Sequence, residues 1–278
     1  MHYLRSIFRY YIQSNIHVAI NSCALASVTG ELFNMDVSNA SIFVGCATFL
    51  AYNLIRFQKI KIASNRAEVS SWFLYHKKSL VVLSIISLLI LLLKVTKIPL
   101  EVLLMLVLPI VALTVLYMIP FVNIKSKRFS LRSIPMLKIF IISVSWSGIC
   151  VLFPIAVSEN NAIGIREILF FLEQILFVFV LTIPFDIRDM VFDSKSLKTL
   201  PQIFNVTKVK LIGGGALLIS LFIHYCLIFE LDNYEYLIIA LVLLLLLFFS
   251  QPKQSKYYSS FWVESLPLLY YLLLSLKG

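Results

Sequence analysis

Phe185-Asp186-Ile187-Arg188-Asp189-Met190-Val191-Phe192-Asp193 closes an apolar run that begins at Ile168, and Lys198-Thr199-Leu200-Pro201 comes shortly after. Continued as helix, at about 100° per residue, Asp186, Asp189 and Asp193 share a sector of roughly 60° and Arg188 points away. Acids at this spacing repel one another, and they sit at the helix end whose dipole disfavours anions. Such a cluster costs stability unless a cation or a positively charged ligand site offsets it. The plainer alternative is a solvated helix end whose acids pair with Arg188, Lys195 and Lys198.

The surroundings of this stretch set the class of protein. Of the 278 residues 60% are hydrophobic and 14% charged, and the mean hydropathy is +0.93. Crossing about 30 Å of hydrocarbon takes about 20 apolar residues per helix. Nine runs approach that length: 16–32, 41–55, 80–93, 100–121, 136–157, 168–185, 209–229, 236–250 and 261–276. The expectation is an all-α polytopic membrane protein, a single domain over residues 1–278 with nine transmembrane helices.

Charge placement orients the chain. With the N-terminus inside and the runs alternating, all of the 24 Lys and Arg residues except Lys94, Lys97, Arg166 and Lys277 fall on the inner side. The positive-inside rule thus favours a cytoplasmic N-terminus and an external C-terminus, in the inner cell membrane. The net charge of +10 reflects this bias, with attraction to anionic headgroups, and is not a nucleic-acid footprint. No small-residue cleavage site precedes the first run, so no secretory leader is expected.

Other polar residues offer further sites. Asn53 and Arg56 share a helical face at the end of the second run, and Arg suits bidentate phosphate recognition. Arg56, Lys59 and Lys61 equally suit interfacial anchoring. Tyr117, Lys125, Lys127, Arg128, Arg132 and Lys138 surround the loop after the fourth run. Glu173 and Gln174 lie inside the sixth, where an ionisable group is a functional candidate; the plainer alternative is a protonated Glu173 hydrogen-bonded to a neighbouring helix. Gly213-Gly214-Gly215 lacks the Lys-Ser/Thr of a phosphate loop and suits close helix packing. Cys23, Cys46, Cys150 and Cys226 show no metal spacing, and His17 and His224 have no partners at ligand spacing.

On these residues the chain resembles the UbiA superfamily of intramembrane prenyltransferases. Asp189 and Asp193 match the second Asp-rich motif of that family, with Asp186 before it and Thr199-Leu200-Pro201 after. Tyr117 and Pro120, then Lys127 and Arg128, are similar to its tyrosine–basic segment. The first motif departs: Asn53 is present, but Leu54, Phe57 and Lys61 occupy the usual acid positions. The resemblance implies a nine-helix bundle around a cavity and Mg²⁺-dependent transfer of a prenyl group from a prenyl diphosphate to an aromatic or other small hydrophobic acceptor. It implies Asp186, Asp189 and Asp193 as the catalytic, metal-holding acids. Asn53, Arg56, Tyr117, Lys127, Arg128 and Lys198 are then substrate-binding, with Arg56 replacing charge lost from the first motif. The lost acids also suit a non-catalytic polyprenyl-lipid binder or membrane-complex protein of the same fold. A transporter, with Glu173 as a coupling group, is a third reading, although no transporter-like internal repeat is evident.

Overall fold

A computed structural model describes residues 2–62, 71–118, 122–124, 127–129, 131, 134, 136–158, 163–193, 197–229 and 234–277. Among them the chain is a helical bundle with one short hairpin. Helix α1 is His2–Gln13, α2 Ile16–Phe33, α3 Ser38–Ile62 and α4 Ser71–Val95. Helix α5 (100–118) carries a wide π turn at Leu103–Val107, and strands β1 (Val122–Ile124) and β2 (Lys127–Phe129) pair antiparallel after it. Then come α6 (Leu137–Val157), α7 (Ile165–Asp189), α8 (Leu200–Ile228), α9 (Tyr234–Phe249) and α10 (258–275).

Seven of these, α2 through α8, are long and apolar enough to cross a membrane. Each of the expected nine runs falls on a helix among the described residues, but α9 spans only 16 residues, and the regular part of α10 is the ten residues Leu266–Ser275. The described residues therefore fit an integral membrane protein, with seven helices long and apolar enough to cross and two shorter apolar ones. Helices α3 and α4, which hold the second and third runs, are longer than hydropathy alone predicts. Helix α4 includes the polar-looking segment 71–79, where Phe73 packs on Phe57 and Trp72 on Tyr10 and so gives it apolar partners.

Burial sorts the helices into layers. Helices α2, α6 and α7 are 61%, 61% and 56% buried over their apolar windows, against 6% for α4 and α5. The outer pair present Leu92, Leu93, Leu104 and Met105 outward. Apolar area on that scale suits lipid and not water. Helix α2 packs on α3, α6 and α10, while α7 packs on α6, α8 and α9. Phe153, Phe170, Phe177, Ile183 and Tyr270 fill the core between them.

Polar side chains fix the corners. Asn15, between α1 and α2, adopts the left-handed conformation (φ 68°) that Asn tolerates better than most residues. Asn34 does the same after α2, where the Met35 N–H donates to the Gly30 carbonyl at 2.9 Å in a Schellman-type turn. Within α8, Asn205 (φ 62°) breaks the helix, and its side chain accepts the Lys208 N–H at 3.0 Å to cap the longer portion of α8. Thr199-Leu200-Pro201 thus belongs to a short helical turn set off from the rest of α8.

Glycines contribute close approach at particular places. A Cβ on Gly30 would collide with the Val37 side chain and meet the Met35 carbonyl oxygen at 2.8 Å. Of the 213–215 triplet only Gly213 is tightly covered, by Ile183 and Leu247, while Gly215 has nothing within 4 Å. Gly30→Ala should lower unfolding stability in detergent by about 1–3 kcal/mol, since a backbone carbonyl must move. Gly215→Ala should be neutral or stabilising by up to about 1 kcal/mol; denaturant titration of the two variants checks both.

Candidate functional site

Helix α7 brings the acidic stretch to its C-terminal end. Pro184 lies inside the helix, and the Pro184 carbonyl accepts the Gln254 side-chain amide at 3.0 Å. Regular helix stops at Asp189, where the chain turns tightly and the Asp193 N–H donates to the Asp189 carbonyl at 2.8 Å. The expected continuous acidic face is thus interrupted. Asp186 and Asp189 are on the helix, whereas Asp193 lies beyond it. Three acids beside a negative helix terminus are a local reason for the helix to end there.

Each helical acid has a cationic partner. Lys138, in the first turn of α6, donates to Asp186 at 2.6 Å, with the Asp186 side chain 5% exposed and that of Lys138 25%. Arg188 does not point away, as ideal helical geometry predicts. Its Nε donates to Asp189 at 2.7 Å, and Nη1 reaches the hydroxyls of Ser259 and Ser260 at 3.1 and 3.0 Å. The wide turn at Tyr258–Val263 presents those two hydroxyls. A half-buried guanidinium needs several acceptors, and this set satisfies it.

Asp186 and Asp189 open onto a cavity of about 190 Å³. Its walls come from α3 (Tyr52), α6 (Lys138, Ile142, Trp146), α7 (Leu181, Thr182, Phe185) and α10 (Glu264). The lining is mostly apolar, and its carboxyl and amino side chains are Asp186, Asp189, Glu264 and Lys138. A second, water-sized space of about 10 Å³ lies between Asp186, Lys138, Leu197, Thr199 and Leu200. The buried Thr199 Oγ1 has no hydrogen-bond partner there among the described residues. The Thr-Leu-Pro turn therefore closes over Asp186, although 13 residues separate Thr199 from it in sequence.

The remaining site expectations divide. Asn53 is buried, and its side-chain amide donates to the carbonyls of Ser14 and Phe49 while its oxygen accepts from Asn15. Arg56 donates to the Gln13 carbonyl and to Asn15 Oδ1. Both residues tie α3 to the α1–α2 corner, and neither lines the cavity. This differs from the expected phosphate-facing role because Asn15, in its left-handed turn, presents acceptors that sequence spacing does not reveal. Tyr117 is half-buried within electrostatic range of Lys138 and Tyr52, and Asp193 is within range of Lys138. Lys198 is exposed. Lys127 and Arg128 fall on β2, while Lys125, Arg132 and Lys195 lie outside the described residues.

Magnesium is the group the motif implies. Among the described residues no three His, Cys, Asp or Glu side chains gather as a metal cage. Asp186 and Asp189, both facing the cavity, still fit the sparse set of one or two carboxylates that Mg²⁺ takes when phosphates supply the rest. Asp193 does not line the cavity.

Two further acids lie apart from the Asp186–Asp193 stretch, and Glu173 meets its plainer sequence expectation, a hydrogen bond to a neighbouring helix. Glu173 is fully buried and bonded to His224 Nδ1 of α8 at 2.9 Å and to the Gln174 amide at 3.0 Å. His224, to which spacing assigned no partner, is stacked on Tyr236. From Glu173 to Asp186 is about 20 Å along α7, so this pair is separate from the cavity. Glu264 escaped notice in sequence, although the rule that marks Glu173 as an intramembrane acid marks Glu264 in the last run equally.

No protein-family model, curated protein or solved structure matches the chain.

The Glu173–His224 pair generates a stability prediction. His224→Leu strands a buried carboxyl and should cost about 3–5 kcal/mol in denaturant unfolding. Glu173→Gln keeps a hydrogen-bonding partner for the imidazole and should cost about 1 kcal/mol.

Proposed function

We propose that the chain is an intramembrane prenyltransferase of the UbiA kind, its nine helical segments crossing the bilayer with the N-terminus cytoplasmic and the C-terminus outside. The observation that carries this reading is the opening of Asp186 and Asp189 onto an apolar cavity walled by α3, α6, α7 and α10. A polar, acidic mouth on an apolar chamber suits a prenyl diphosphate, with charge at one end and hydrocarbon at the other. The fold of Thr199 and Leu200 over Asp186 supports it independently.

The chain's own residues supply most of the chemistry. Lys138, now held by Asp186, is placed to transfer its hydrogen bond to an incoming phosphate oxygen. The allylic carbon–oxygen bond then breaks, and its electron pair leaves with the diphosphate. Tyr52, Trp146 and Phe185 offer ring faces to the allylic cation, and the apolar wall excludes water until the acceptor attacks. Mg²⁺ held by Asp186 and Asp189 would neutralise the departing diphosphate.

A second reading has one observation in its favour. Both helical acids are already matched by cations, Asp186 by Lys138 and Asp189 by Arg188. A site balanced in this way suits a polyprenyl-lipid binder that performs no chemistry.

One assay separates the two. Purified protein in lipid, given prenyl diphosphates of several lengths and a set of small acceptors, should release pyrophosphate only with Mg²⁺. Asp186→Asn and Asp189→Asn should each reduce release about a hundredfold or more. Undiminished release in the double variant contradicts the site assignment; binding without release by the native protein establishes the second reading.

A further inference from the structure

Helix α1 has two faces. At about 100° per residue, Arg5, Ser6, Arg9 and Gln13 fall within a sector of about 100°, and the aromatic and aliphatic side chains between Tyr3 and Ile12 take a sector of about 200° opposite. Protein covers the C-terminal part of the apolar face. Phe8 packs on Tyr257 and Phe261 at the beginning of α10, with ring centroids 5.2 and 5.0 Å away. Tyr10 meets Trp72 and His76 of α4 and donates to the Ser79 hydroxyl at 3.0 Å. The N-terminal part of the same face is bare: Tyr3, Leu4 and Ile7 are 83%, 72% and 56% exposed.

The axis of α1 runs across the end of the bundle. Phe261 contacts both Phe8 and His17, at ring distances of 5.0 and 5.3 Å, and an unbroken helix would hold those two about 13 Å apart along its axis. The left-handed Asn15 breaks the helix and turns α1 aside. Ser79 and Phe261 border the apolar runs 80–93 and 261–276, and Ile16 opens the run 16–32. The helix therefore lies at the depth where the apolar interior begins, with part of its own apolar face uncovered.

Charge selects what covers that face. Within residues 2–13 and 71–80 the cations are Arg5, Arg9, Lys77 and Lys78, all exposed, and there is no acid. A second copy would bring the same positive set and no acid to meet it. A lipid surface supplies opposite charge in its phosphates and apolar cover in its acyl chains. Exposed Val81 and Val82 continue the lipid-facing surface along α4 from the same level.

We propose that α1 is an interfacial helix that docks on an anionic lipid surface. Tyr3, Leu4 and Ile7 enter the boundary between headgroups and acyl chains, and Arg5 and Arg9 bind lipid phosphates. The docking does not depend on prenyl transfer in the cavity.

The test places the full chain in lipid discs, made either of phosphatidylcholine alone or of phosphatidylcholine and phosphatidylglycerol in equal parts. One fluorescent label is attached at Leu4→Cys or at Ser6→Cys, in a background without the four native cysteines. In discs with phosphatidylglycerol, acrylamide should quench the Leu4 label at least about fivefold less than the Ser6 label on the opposite face. Quenching of the Leu4 label should rise at least about twofold in phosphatidylcholine alone, and with Arg5→Gln and Arg9→Gln together it should be the same in both lipids. Hydrogen exchange of unlabelled native protein makes the comparison without any substitution: amides of residues 5–9 should exchange at least about fivefold slower with phosphatidylglycerol present. Equal quenching at the two positions, or protection and exchange indifferent to phosphatidylglycerol, overturns the inference. Protection of the Leu4 label only in discs holding two copies assigns the face to a second copy and overturns it as well.

Discussion

The contact on which the site depends is Lys138 to Asp186. It joins the start of α6 to the end of α7, the two most buried neighbours of the cavity, and it does so at the rim of the apolar interior. An isolated carboxylate there is expensive, and so is an isolated ammonium; together they are tolerated. Such a pair contributes little net stability compared with an apolar replacement of the same volume. Its retention at this position is better understood as poise, because an anionic ligand that draws Lys138 away leaves Asp186 ready for a cation.

The rest of the bundle holds that poise in place. The Thr199-Leu200 turn covers Asp186 from one side, and the break at Asn205 lets that turn lie at its own angle to α8. Arg188 crosses from α7 to the hydroxyls of the wide turn in α10, which also presents Glu264. Helix α10 is thereby positioned by the same charged stretch that supplies the acids. The α1–α2 corner, locked by Asn15, Asn53 and Arg56, closes the neighbouring part of the structure without entering the cavity.

Much of the architecture is legible in the sequence because hydropathy acts over long runs. A stretch such as 168–185 has few alternatives to a helix in an apolar setting, and its polar end is easily located. Four particulars were not legible. Helix α7 ends at Asp189 and not beyond Asp193, since end effects depend on the adjoining turn. Arg56 and Asn53 are bound to Asn15, a contact created by a left-handed residue that sequence periodicity cannot reveal. Glu173 and His224 meet although 51 residues apart, and Glu264 reaches the cavity from the last helix. Such meetings of single polar residues arise from packing alone. A single acid in an apolar run signals that a partner exists without identifying it.

Occupation of the cavity beside Asp189 by a prenyl diphosphate is the central claim, and it can be measured directly. A Thr182→Cys variant, in a background without the four native cysteines, places one thiol on the cavity wall. Its labelling by a small methanethiosulfonate reagent is to be timed with and without a non-ionising prenyl thiolodiphosphate and Mg²⁺. The expected result is at least about tenfold slower labelling with both present, and no slowing once Asp189 is also Asn. Labelling at one unchanged rate with saturating analogue and Mg²⁺ would contradict the claim.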